Sequence, residues 1–198
     1  MNQLWSEVLD AEVARLVAAL PVIRPLRNGD GPLVEALLRD LSSTSRLRRF
    51  HAAVSEIPTA LLKQMTRVDT PGEATLLATT VVRGREVAVG EARYALSDEQ
   101  NDAREFALVV ADPWQRLGVG MELMRELMRH AAQSGVVVLY GDTFADNVPM
   151  LELARRLGFE KRRHPTDARL ARMSITLDAV KGRVRAADSS HATYSLAA

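Results

Sequence analysis

The chain has 198 residues, a formal net charge of +1, 47% hydrophobic and 26% charged residues, and no cysteine. This describes one globular domain with a substantial core and gives no reason to expect nucleic acid or an anionic membrane as a partner. The missing thiols exclude disulfides, thiolate metal sites and a cysteine nucleophile, and they agree with a cytoplasmic protein. No apolar run approaches the ~20 residues that span a bilayer. The early acidic residues Glu7, Asp10 and Glu12 do not suit a signal peptide.

Residues 4–20 carry Leu4, Val8, Leu9, Val13, Leu16, Val17 and Leu20 near helical spacing, which predicts an extra N-terminal helix within residues 1–21, ended by Pro21. Residues 22–26 read as a first strand, 27–30 as a turn, and Asp30 as the cap of a helix over 31–41. Ser42-Ser43-Thr44-Ser45 is polar, and Arg46 to His51 is basic. This reads either as a phosphate- or substrate-facing loop or as a solvated loop entering a short amphipathic helix. Pro58 opens a helix to about residue 67.

From Ala74 the pattern changes. Residues 74–82 and 86–96 are β-rich runs around an Arg83-Gly84-Arg85 turn, and 103–111 is a third, which predicts an antiparallel meander. A helix follows over 117–133 and breaks at Ser134-Gly135. The apolar run 136–140 predicts a strand buried on both faces, with Tyr140 as a packing residue. Asp146-Asn147 begins another helix, and Gly158 ends it. Residues 159–163 and 170–177 are the last strands, and the aperiodic stretch 179–198 is expected to be a flexible tail.

Gln115-Arg116-Leu117-Gly118-Val119-Gly120 stands between a strand and a helix. The first turn of a helix leaves N–H groups unpaired, and the helix dipole adds partial positive charge there, so the junction suits a phosphate or pyrophosphate. It lacks the Lys-Ser/Thr pair of a nucleotide P-loop. It also lacks the third glycine and later acidic residue of a dinucleotide fingerprint. The residues alone predict a phosphate-bearing ligand.

These six residues resemble the Q/R-x-x-G-x-G/A motif of GNAT-type acetyltransferases. Residues 147–159, Asn147-Val148-Pro149 through Gly158-Phe159, are similar to that family's N-x-x-A-x-x-L-Y-x-K-x-G-F segment. A narrower resemblance, to the catalytic domain of Pat-type protein lysine acetyltransferases, rests on Ile23-Arg24-Pro25-Leu26, on Leu41 to Arg46 with Arg49-Phe50, on Ala92-Arg93-Tyr94, and on Glu105 to Asp112. Many of those enzymes join the domain to a large acyl-CoA synthetase-like region or a cyclic-nucleotide-binding domain, for which 198 residues leave no room.

The resemblance implies an α/β GNAT fold over residues 22–178: a mixed, twisted sheet of about seven strands with helices on both faces. It implies acetyl-CoA as co-substrate, with the pyrophosphate on the backbone of Gln115, Arg116, Leu117, Gly118, Val119, Gly120 and Met121. The pantetheine arm would lie along Leu108, Val109 and Val110, which would also supply an oxyanion donor, and Asn147 would hydrogen-bond the arm. Glu105 would be the catalytic base. A base is needed because a lysine-like amine is protonated at neutral pH, and losing that proton costs about 4–5 kcal/mol.

The family's general-acid tyrosine is replaced by Ala154. Asp98, Glu99 and Asp102 form either an acidic entrance or a solvated loop. His51, His130 and His164 have no metal-ligand spacing, and the helix dipole accounts for His130. No metal is expected. The acceptor expected is a primary amine, foremost a protein lysine, in a monomer or homodimer. The alternatives are a small-molecule amine and a non-catalytic acyl-CoA sensor.

Overall fold

The structure, a computed structural model, describes residues 21–54, 56–68, 70–96 and 103–177. The expected N-terminal helix, the acidic residues 98–102 and the tail from 179 lie outside them. Seven strands form one sheet: β1 (Val22–Pro25), β2 (Ala74–Val82), β3 (Arg85–Leu96), β4 (Ala103–Val110), β5 (Val138–Phe144), β6 (Glu160–Arg163) and β7 (Leu170–Thr176), in the order β1-β2-β3-β4-β5-β7-β6. The helices are α1 (Gly31–Asp40), α2 (Ser43–Phe50), α3 (Thr59–Met65), α4 (Val119–Gln133) and α5 (Val148–Leu157).

Every strand pair is antiparallel except β4–β5, which α4 joins as a crossover. The meander is as expected, but its first turn is shorter. Val82 pairs with Arg85, so the loop is Arg83-Gly84, with φ of 51° and 76° as a type I′ hairpin requires. Neighbours on β3 show that helices cover both faces. A Cβ on Gly90 would meet Leu123 of α4, whereas the next residue, Glu91, pairs with Arg49 of α2. The core side of α4 buries Val119, Leu123, Met124, Leu127, Met128 and Ala131, each large aliphatic or methionine side chain contributing about 1.5–3 kcal/mol.

Three local expectations change. First, β5 begins at Val138 and runs to Phe144. Val136 and Val137 stay outside it because α4 closes with Val136 N donating to Ala131 O and Gly135 N to Ala132 O, which spends Val136 on the helix cap. Second, α4 starts at Val119 because Gly118 has φ 89°. Third, Asp30 does not cap α1. Its backbone is helical and its carboxylate is taken elsewhere. It receives Arg24 Nη1 at 2.6 Å, Arg24 Nη2 at 3.0 Å and the Arg27 N–H at 2.8 Å. Arg24 also donates to Glu86 at 2.9 Å.

β4 and β5 pair only at Ala103–Val138, Arg104–Leu139 and Glu105–Tyr140. Immediately past this point, a Cβ on Gly141 would lie 2.7 Å from the Phe106 ring and 2.9 Å from the Phe106 carbonyl. Only a residue without a side chain lets Phe106 come this close, and the ring then stacks at 5.2 Å on Phe159.

Two expectations follow from these contacts. Gly141→Ala must push back Phe106 and should cost about 1–3 kcal/mol, read from denaturant midpoints. Asp30→Asn leaves Glu86 as the only carboxylate on the buried Arg24 guanidinium and should cost about 1–3 kcal/mol. The hydrogen bonds from Arg24 hold the Asp30 carboxyl below its ordinary range against the opposing effect of burial. Its stabilisation is therefore complete above the unfolded carboxyl pKa and is lost as pH falls through the lowered folded value. The acid limb of the stability–pH curve should be shallower in the variant; an unchanged limb would assign that limb to other carboxylates.

Candidate functional site: a cavity in the sheet fork

Beyond Glu105 and Tyr140 the two parallel strands separate, and a cavity of about 650 Å³ occupies the fork. Because side chains alternate along β4, both faces of the sheet contribute to its wall. Leu108 and Val110 lie on the α4 side, each 3.6 Å from where a Cβ on Gly120 would stand. Glu105, Ala107 and Val109 lie on the other side, and all five residues line the cavity.

The expected anion turn closes one end of the fork. After a 3-10 turn at Asp112–Trp114, Arg116 takes φ 63° and Gly118 φ 89°. The first backbone bonds of α4 run from Met121 N and Glu122 N to Gly118 O, at 2.9 and 3.1 Å. The N–H groups just before them have no intrahelical acceptor, and the helix dipole adds to their positive potential. Gln115, Arg116, Gly118, Gly120 and Met121 all line the cavity, as does Arg156 from α5. Neither Arg116 nor Arg156 forms a salt bridge among the described residues. These backbone donors and arginines fit the pyrophosphate and further phosphate of a CoA ester.

Leu117 and Val119 stand apart. Leu117 is 63% exposed and Val119 is buried in the core, and neither side chain lines the cavity. The Gln115 side chain has a separate task, which leaves its backbone at the turn. Its amide donates to Val110 O at 3.0 Å and to Ser45 Oγ at 3.1 Å, so it braces the turn. Asn147 lines the cavity but does not cap its helix; its amide donates to Thr143 Oγ1 at 2.9 Å.

Glu105 is exposed at the apex of the fork, opposite Tyr140 and in register with Ala95. Tyr140 is buried, with the Arg172 guanidinium 4.7 Å from its ring, so it is a packing residue. His130 meets the Tyr94 hydroxyl through Nδ1 at 3.1 Å, a contact beyond the dipole effect expected.

The sequence reading missed a cluster on the Glu105 side. Asp142 takes Arg172 in a two-pronged pair at 3.0 and 3.0 Å, with His164 Nε2 at 3.2 Å. His164 Nδ1 accepts the Thr166 and Asp167 N–H groups, so Nε2 carries the proton and donates to Asp142. His51 reaches the cavity from the end of α2 and packs edge-on against Phe144 at 5.4 Å. Burial pushes its pKa down, which favours the neutral ring, against the opposing pull of Asp142. Deeper in, Arg49 meets the fully buried Glu91 at 3.3 Å. The alternation of Tyr140, Asp142 and Phe144 was a usable signal. Nothing local in the sequence joins His51 or Arg49 to these strands.

Among the described residues no group of three His, Cys, Asp or Glu could hold a metal ion, and no helix is long and apolar enough to cross a membrane.

A forked mixed sheet with a helix N-terminus at its open end suits an extended, phosphate-bearing ligand. The chain matches the acetyltransferase (GNAT) family over residues 37–159. It is 33% identical over 147 residues to an acetyltransferase of Pseudomonas aeruginosa, covering 74% of this chain and 78% of that protein. Among solved structures, the GNAT domain of PAT from S. lividans is similar with a TM-score of 0.68 at 18% identity, covering 78% of this chain and 89% of that one. A ribosomal-protein-alanine N-acetyltransferase from Brucella melitensis is similar at 0.60 and 23% identity, covering 78% and 99%. The chain belongs to the GNAT acetyltransferase family: it is an enzyme that transfers an acyl group to an amine, and the family's co-substrate is acetyl-CoA.

The two glycines of the turn answer to different constraints. A side chain on Gly118 would meet nothing within 4 Å, but the positive φ disfavours one; Gly120 has no such φ and room for a methyl group. Gly118→Val should cost about 1–2 kcal/mol of strain and weaken acetyl-CoA binding in calorimetry, whereas Gly120→Ala should bind close to wild type. Equal affinities in all three proteins would remove the turn from the donor site.

Proposed function

We propose that this enzyme acetylates the side-chain amine of protein lysines, with Glu105 as general base. One observation carries the reading: Glu105, at the apex of the fork, lines the same cavity as the anion turn at its open end. A donor held by its phosphates at residues 115–121 would extend its pantetheine arm along Leu108, Val109 and Val110, where the edge of β4 that faces β5 has no partner strand. The thioester then lies toward Glu105.

The acceptor amine must lose a proton before its lone pair can attack. Glu105 takes that proton, the nitrogen attacks the thioester carbon, and the carbon–sulfur bond breaks. A backbone N–H of the unpaired part of β4 stabilises the developing oxyanion. No side-chain acid comes from residue 154, a buried alanine. A thiol with pKa near 8.5 leaves readily as thiolate and takes up the second proton that the attacking nitrogen sheds on becoming an amide, so a dedicated acid is dispensable. Transfer to a lysine is supported by the sequence resemblance to Pat-type protein lysine acetyltransferases and by the exposed position of Glu105 in the cavity wall.

Labelled acetyl-CoA should acetylate lysine-bearing protein and peptide substrates. Glu105→Gln should lower turnover by about 10²–10⁴-fold while leaving acetyl-CoA affinity within a few-fold, as measured by thiol release and calorimetry. Full turnover in the variant would remove Glu105 as base. Labelling of free small amines alone would make the acceptor a small molecule, and binding without any turnover would make the protein an acyl-CoA sensor.

A further inference from the structure

Helix α2 walls the Glu105 side of the cavity with Ser45, Arg48, Arg49 and Phe50, yet it buries no side chain completely. Phe50 packs partly against the core and Arg49 pairs with the buried Glu91 toward its end, whereas the start of the helix rests on exposed polar contacts. At its start, Asp112 accepts the Ser42 N–H at 2.9 Å, the Ser42 hydroxyl at 2.8 Å and the Ser45 hydroxyl at 2.7 Å. Gln115 adds its amide on Ser45 Oγ at 3.1 Å. Asp112 and Gln115 belong to the segment that continues directly into the anion turn at Arg116–Gly120. The clamp is exposed to solvent, where each hydrogen bond contributes little because water competes for the same groups. Such an element opens easily and responds to small changes in its surroundings.

We propose that Asp112 is a positioning residue that couples the donor turn to the acceptor wall. When acetyl-CoA fills the turn, it orders residues 112–118 and shields the clamp from water, and α2 is drawn into place with Arg48, Arg49 and the following His51. The acceptor wall is thereby completed by the donor. This rests on the assignment of the turn to acetyl-CoA. It adds a route by which a ligand at one end of the cavity sets residues at the other, through one carboxylate that touches neither substrate.

The test is hydrogen exchange followed by mass spectrometry on the full chain, with and without saturating acetyl-CoA, beside calorimetry of acetyl-CoA binding. In the wild type, acetyl-CoA should slow exchange of the α2 amides about tenfold. Asp112→Ala should abolish that slowing while keeping acetyl-CoA affinity within about threefold, and Asp112→Asn, which retains one acceptor oxygen, should keep part of it. Ser45→Ala, which leaves Asp112 bound to Ser42, should show an intermediate loss and serves if Asp112→Ala fails to fold. Binding of acetyl-CoA with no protection of α2, or full protection in the folded Asp112 or Ser45 variants, overturns the coupling alone. Absence of acetyl-CoA binding to the wild type overturns the donor assignment and the coupling with it.

Discussion

Parallel pairing between β4 and β5 stops after three residue pairs, and the rest of the site depends on that stop. A continued ladder would bury the backbone of residues 106–110 in hydrogen bonds to β5 and leave no cavity. The separation instead frees one edge of β4 in mid-sheet, where edge groups are otherwise paired. Gly141 and Phe106 hold the strands at the parting point: the ring and carbonyl of Phe106 occupy the volume a side chain on Gly141 would need, and Phe159 backs the ring. The fork is thus a packing feature with a sequence cause. An extended donor arm with amide groups is the complement such a free edge calls for.

The remaining elements serve this opening in different ways. The meander β1–β4 gives β4 a rigid support, and the Arg24–Asp30 pair fastens its first strand to the start of α1. α4 supplies the turn and anchors it through its buried face. α2 contributes charge and imidazole on the opposite side with almost no apolar burial of its own. The anion turn therefore stands on the hydrophobic core, while the α2 side of the cavity stands mainly on hydrogen bonds and ion pairs. This division suits a family in which a common donor meets varied acceptors.

Much of this was legible from residues. Strand periodicity, the glycines at 118 and 158 and the two motif segments placed every strand and α-helix of the described domain to within about four residues, the largest miss being the end of β5 at Phe144. Misplaced ends had local causes, such as Val136 being spent on the α4 cap. Side-chain partners were less legible. Asp30 looked like a cap because nothing in the sequence shows that Arg24 stands across from it. Gln115 was read only through its backbone, and nothing local shows that its side-chain amide is held by Ser45, seventy positions away. Asp112, Asp142 and His51 gained roles only once the chain had brought distant segments together, since spacing reports neighbours along an element and is silent about contacts between elements.

The cavity is lined from both faces of the sheet, and this bears on what sizes of molecule the enzyme can handle. On the placement proposed above, the donor's phosphates lie against α4 and α5 and the α2 side is left to the acceptor, so neither has to pass the other. Only the part of the acceptor that reaches Glu105 then has to enter the cavity. A folded macromolecule presenting one slender amine meets that geometry as readily as a small metabolite does.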